Sequence, residues 1–249
     1  YVARVATAFE QGAYELPDGT KIGDDRRGDL TATLAAILFD DEARQLGSST
    51  SGKIREPILR FTHWARAFNV ENITPQFQYL LWDTSASSAL AQHPYRSPSV
   101  FNFFRPGYVA PGSLSGAQQL VAPELQITNA SSIPGYINFM TFYIMGEQQE
   151  LALVEIEEII EEAGRNIDAD EIRNSFKINY DAELNLIAEP ELLIDHLDLV
   201  LTYGTASDAT KNRMTQMISQ LLNDEEEELF AVQIAILMMM TSPDYLVQE

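Results

Sequence analysis

Three histidines, His63, His93 and His196, are the side chains best suited to proton transfer in this sequence. His63 has Arg60 and Arg66 as helical neighbours, and positive charge that close disfavours protonation of the ring. It therefore reads either as a satisfied structural histidine or as a neutral general base. His93 precedes Pro94 and lies three residues before Arg96, so it joins the same cationic cluster if the following segment folds back. His196, flanked by Asp195 and Asp198, reads as a surface ion pair. Cysteine is absent, which excludes disulfides, thiolate zinc sites and thiol catalysis. Nucleophile-elbow, phosphate-loop, dinucleotide-fingerprint and HExxH patterns are missing too. Acid pairs are abundant and hence unspecific. Asp168-Ala169-Asp170-Glu171 is similar to the start of a calcium loop but lacks its glycine and closing glutamate, so neither a metal nor a cofactor site is expected.

The elements that must position these groups follow from periodicity. Lys53 to Phe68 predicts a helix with Ile54, Ile58, Phe61, Ala65 and Phe68 on its apolar stripe. Glu56, Arg60 and His63 share a second face, and Arg55, Thr62 and Arg66 a third. Cations crowded onto one helix of an acidic chain call for carboxylate partners. A second stretch, Arg96 to Tyr108, holds four aromatics and two prolines. Ser97-Pro98 reads as a helix start and Pro106-Gly107 as its stop, which predicts a short rigid plug. Phe101, Phe104 and Tyr108 would anchor it, leaving Arg96, Asn102 and Arg105 for polar partners. The expected binding or structural network is thus Arg55, Glu56, Arg60, Arg66, Arg96, Asn102 and Arg105, with His63 and His93 as the catalytic candidates.

Elsewhere the chain reads as helices joined by long loops. Asp29 is the expected N-cap of a helix from Leu30 to about Leu46, with Leu30, Leu34, Ile37 and Leu38 on its apolar side. Further helices are predicted between about Ser132 and Gln149, from Pro190 to Tyr203, and from Ser207 or Asp208 to about Leu222. Glutamates alternating with Leu151, Val154, Ile156 and Ile159 describe an acidic amphipathic helix ending at Gly164. The last helix, apolar nearly all round from Leu229 to Met240, should be buried between others. The fold class expected is mainly α, an irregular multi-helix globular bundle with long ordered loops. A composition shift near Gly146 divides it into regions 1–149 and 150–249, packed as one continuous fold.

Composition sets the outer bounds. At 249 residues and 45% apolar content the chain can bury a substantial core. Its formal net charge of -21 repels nucleic acid and anionic membrane surfaces, so neither is an expected partner. The longest apolar run is too short to span a bilayer, which takes about 20 residues. The first residues, Tyr1-Val2-Ala3-Arg4-Val5-Ala6, begin inside an apparent helix, and that start reads as an internal cut.

Several stretches carry a family likeness: Gly28-Asp29-Leu30 through Asp40-Asp41-Glu42-Ala43-Arg44, Gly52-Lys53-Ile54-Arg55-Glu56-Pro57-Ile58-Leu59-Arg60, the aromatic segment, and Val121 to Thr128. With the closing Thr241-Ser242-Pro243-Asp244-Tyr245-Leu246-Val247-Gln248 they resemble, in order and spacing, the bacterial family known as domain of unknown function 1800. The resemblance implies a mainly helical fold, a periplasmic or extracellular home, and a chain that is the C-terminal half of a longer protein. Its own N-terminal half, and another exported protein, are then the expected partners. The resemblance carries no catalytic residues. Two functions stay open: an exported binding or assembly protein in which Arg55, Glu56, Arg60, Arg96 and Arg105 form a buried salt-bridge network, or an extracytoplasmic hydrolase acting on a polymer or anionic substrate. Closed, paired arginines would favour the first; unpaired guanidinium groups at an open pocket beside a histidine would favour the second.

Overall fold

The computed structural model describes residues 1–44, 52–72, 83–147, 161, 168, 176–224 and 227–248. The protein is mainly α-helical, with a few two-residue strand pairings, as the periodicity requires. Two compact units are formed, Tyr1–Gly52 and Lys53–Gln248. Most of the acidic helix and of the aspartate-rich segment after it lie outside the described residues.

In the first unit α1 (Val2–Gln11) packs on α2 (Leu30–Phe39), with a hairpin of β1 (Tyr14–Glu15) and β2 (Lys21–Ile22) between them. Asp29 caps α2 as expected, its Oδ1 accepting the N–H groups of Thr31 at 2.8 Å and Ala32 at 3.0 Å. The buried face of α2 is not the leucine stripe. Ala32, Ala35 and Ala36 are buried, whereas Leu30 and Leu38 are 67% and 63% exposed. Small side chains let the two helix backbones approach closely, and that decides the packing face over side-chain size. α2 stops at Asp40, before the single turn α3 (Asp41–Arg44). Asp40 takes a bidentate pair from Arg4, at 2.6 and 2.7 Å, and those bonds hold its carboxyl down at about 2.

The second unit begins with β3 (Lys53–Ile54), not with helix as the stripe predicts: these residues pair antiparallel with β6 (Val247–Gln248). α4 (Pro57–Ala67) follows, with Pro57 at the first helical position, where its missing N–H costs nothing. Among the described residues the next elements are β4 (Glu71–Asn72), α5 (Leu114–Ala117), a 3-10 turn at Pro123–Ile127, α6 (Ser132–Ile144) and β5 (Phe176–Lys177), which pairs with β4. Then come α7 (Asp181–Leu184), α8 (Pro190–Leu197) running into a π turn at Asp198–Thr202, α9 (Asp208–Asn223), α10 (Glu228–Thr241) and α11 (Pro243–Leu246). α10 is the axis of the core. Ala231, Val232, Ala235, Ile236, Met239 and Met240 are fully buried, in keeping with its apolar circumference. Phe61 and Trp64 of α4 meet Tyr143 of α6 at ring-centroid distances of 5.2 and 6.4 Å, and Trp64 donates to Tyr180.

The Arg96–Tyr108 segment departs most from expectation. It is a run of turns and bends, with Phe101 75% and Val100 95% exposed, and Phe104 and Tyr108 only half-buried. Pro98 and Pro106 break up any helical register, and Asn102 at φ 70° turns the chain out of it. A buried plug is therefore not what anchors this unit. Earlier in the same loop region, the Ser87 backbone packs closely on Gly135 of α6, where an added Cβ would lie 2.1 Å from the Ser87 carbonyl oxygen. Gly135→Ala should cost about 1–3 kcal/mol in urea unfolding, while Gly107→Ala, with nothing within 4 Å, should leave the midpoint unchanged.

Candidate functional site

The β3–β6 pairing continues by one bond into the site: the Arg55 N–H donates to the Leu246 carbonyl at 2.9 Å. That bond sets Arg55 beside Tyr245 of α11, its guanidinium carbon 4.5 Å from the ring centroid. One helical segment on, Arg60 turns back and gives its Nε–H to the Arg55 carbonyl at 2.8 Å, lying 4.9 Å from the centroid of Tyr136 in α6. His63 stacks on Tyr245, with ring centroids 5.7 Å apart and planes 18° from parallel. Tyr136 and Tyr245 donate their hydroxyl protons to the carbonyls of Met240 and Arg60, at 3.1 and 3.2 Å. Burial raises both phenols well above the ordinary tyrosine range, Tyr245 to about 12, so they stay neutral donors.

His63 does not have the lone pair a general base needs. Arg55 Nη1 lies 2.8 Å from His63 Nδ1, and a guanidinium can only donate, so Nδ1 is the acceptor. The proton of the neutral ring then sits on Nε2, facing the Val200 backbone, whose hydrogen bond favours the protonated ring. Burial, and after it the Arg55 charge, outweigh that contribution and lower the His63 pKa. Val200 belongs to the π turn, whose wider winding shifts the regular carbonyl pattern of a helix. His93 Nδ1 likewise accepts, from the Thr84 N–H at 3.1 Å, and closes its own loop. Both catalytic candidates are engaged in holding structure.

Neither arginine is neutralised in the ordinary way. Among the described residues no carboxylate pairs with Arg55 or Arg60, and Arg55 Nε is buried without a hydrogen-bond partner. Burial lowers the Arg60 pKa and Arg55 pulls the same way, opposed only by Tyr136 and Tyr245. The charges rest instead on aromatic faces, backbone carbonyl and a neutral imidazole. Such contacts are worth roughly 0.5–2 kcal/mol each when partly desolvated.

The salt-bridge network expected of Arg55, Glu56, Arg60, Arg96 and Arg105 does not form among the described residues. Glu56 accepts from the Gln92 amide, and Gln92 Oε1 in turn takes the Ile58 N–H at 3.2 Å, one of the free donors in the first turn of α4. Arg96 pairs with Asp83 at 2.7 Å. Arg105 and Asn102 are exposed turn residues, the Arg105 N–H donating to Gln126, and Arg66 is exposed on α4. His196 pairs with buried Glu183 at 2.8 Å, while its neighbours Asp195 and Asp198 turn towards Lys211. Tyr136 and Gln92, which complete the cluster, carry no mark in the sequence, and Tyr245 is marked there only as part of the family-like closing stretch. Their roles depend on contacts across 34 residues or more.

Arg60 and Tyr136 also line a cavity of about 370 Å³. Its walls are otherwise chiefly aliphatic, from Ile54, Leu90, Leu125, Leu246 and Val247, and it reaches the surface past Ile133 and Ile137 of α6, which are 55% and 39% exposed. That volume lies at the small end of the roughly 300–1,000 Å³ typical of ligand sites.

A family model described as a protein of unknown function (DUF1800) matches residues 1–247. The chain belongs to the DUF1800 family. No curated protein matches it, and no solved structure does. In this DUF1800 chain the family-like stretches at Gly52–Arg60 and Thr241–Gln248 are therefore the two that build the arginine site.

The lowered His63 pKa makes a pH dependence. The unfolded ring takes up its proton below its usual value of 6.5, whereas the folded ring resists to lower pH. The folded state thus binds fewer protons in that window, and the stabilisation, complete above 6.5, is lost as pH falls from there through the folded pKa. Between about pH 7.5 and pH 5 the wild-type melting temperature should fall more steeply than that of His63→Gln, whose amide can still accept from Arg55.

Proposed function

We propose that this DUF1800 protein is an exported binding protein whose ligand occupies the cavity between α4, α6 and α11. The observation that carries the reading is Arg60, a half-buried cation on an apolar cavity wall with no carboxylate partner among the described residues. Burying a charge that way is costly unless a ligand, or a structural role, compensates it. The chain has 37 acidic residues, so a partner was not lacking for want of supply. An export route is what the family resemblance implies.

Engagement of both His63 and His93 Nδ1 atoms weighs against hydrolysis by either ring, so binding is preferred to catalysis. The anion-holding part of the hydrolase reading survives within the binding one.

Nile red, a neutral dye that fluoresces in apolar surroundings, tests the cavity. Wild-type protein should bind it saturably with a blue-shifted emission. Ile133→Trp, at the partly exposed mouth, should weaken binding by about tenfold or more while keeping the helical signal and melting temperature. Saturable binding unaffected by that change would place the dye elsewhere and remove the support.

A further inference from the structure

We infer that the natural ligand of this cavity is a single-headed alkyl carboxylate, its head held by the terminal nitrogens of Arg60 and its tail lying among Ile54, Leu90, Leu125 and Leu246. The inference rests on the cavity being a binding site and adds the chemical class of what it binds.

The donors around the cavity decide the head group. Ser132 Oγ gives its proton to backbone carbonyls, 3.1 Å from that of Ile127, and Thr241 Oγ1 does so to Leu237 at 2.8 Å. Tyr136 donates to Met240, and the Thr128 hydroxyl leans on the Glu124 carbonyl at 3.5 Å. Arg60 differs. Its Nε is given to Arg55, but Nη1 and Nη2 have no hydrogen-bond partner among the described residues. Among the described residues, the side-chain donors of the lining that stay unengaged are therefore those of Arg60, and they are cationic. Two parallel N–H groups at the end of a guanidinium match the two oxygens of a carboxylate.

Charge fixes the rest. A cationic head would face Arg60 with Arg55 behind it, a repulsive arrangement. A neutral head would leave the Arg60 charge uncompensated. A phosphate dianion would bring a second charge for which the cavity wall has no further donor, since Arg55 is turned to His63 and Tyr245 and is not part of the lining. One negative charge on a planar head satisfies the site. The aliphatic walls and the apolar mouth at Ile133 and Ile137 then require a hydrocarbon tail.

A competition series against bound Nile red tests this, using decanoate, decanol, decylamine and decyl phosphate on the whole chain. Decanoate should displace the dye at a concentration about tenfold or more below the other three, the advantage expected of a charge-assisted bond. Arg60→Met should abolish that preference, so that decanoate and decanol compete alike on the same variant. Arg60→Lys, which keeps the charge without the fork, should recover only part of it. Equal displacement by decanol, or a preference for decyl phosphate, overturns the carboxylate assignment and leaves the cavity as a binding site. If none of the four displaces a dye that Ile133→Trp does exclude, the carboxylate inference fails while the dye site stands. If no dye binds and none of the four shifts the melting temperature, the binding reading fails with it. The wild-type series decides the matter even should an Arg60 variant fold poorly.

Discussion

Two guanidinium groups held half out of water, with no carboxylate partner among the described residues, are the constraint around which the second unit is arranged. Everything close to them is suited to a positive charge that has no anion. Tyr136 and Tyr245 offer their faces, the Arg55 carbonyl takes one N–H of Arg60, and His63 is kept neutral so that it can accept from Arg55. Burial, and after it the Arg55 charge, lower the His63 pKa, so that charge is stabilised by the form of His63 it helps to select. These are weak, partial compensations compared with a buried ion pair. Arg55 keeps one buried Nε–H without a partner, whereas Arg60, the member that lines the cavity, has both terminal nitrogens unengaged among the described residues.

The scaffold holds this arrangement from both ends of the unit. β3 and β6 bring the start of α4 beside the chain's final helical turn, which Ser242 caps through its bond from the Tyr245 N–H at 3.2 Å. From the other side α10 fills the core and gives α6 a surface to pack on, α4 packs on the π turn at Asp198–Thr202, and the aromatic contacts of Phe61 and Trp64 with Tyr143 hold α4 and α6 together. The cavity lies at the end of that packed layer, where aliphatic side chains from several elements converge but do not meet. A binding site there can be rigid because every element bordering it is tied down by contacts outside it.

What was legible in the sequence was local. Apolar periodicity, the Asp29 and Ser207 caps, and the all-round apolar character of α10 report interactions within a few residues, and the folded chain keeps them. The concentration of cations on α4 was legible too, as residue types, but not the nature of their partners. Arginine in an acidic chain points to carboxylates, yet the partners here are rings and carbonyls brought from far along the chain. The Arg96–Tyr108 stretch misleads for a related reason. Its aromatic content resembles a core segment, but the prolines and the positive φ of Asn102 decide its path, and Phe101 goes to the surface. On α2 the leucine stripe outweighs the alanines in any hydropathy count, while closeness of helix approach favours the alanines.

A crystal structure of the unliganded protein, resolved well enough to place side-chain nitrogens and water, bears most directly on the unpaired state of Arg60. The expected result is Nη1 and Nη2 directed into the cavity, hydrated or facing an anion from solution, with no aspartate or glutamate of the chain within about 4 Å. An acidic side chain of the same chain seated on Arg60 would contradict it, because the cation would then be compensated internally and the cavity would need no anionic ligand.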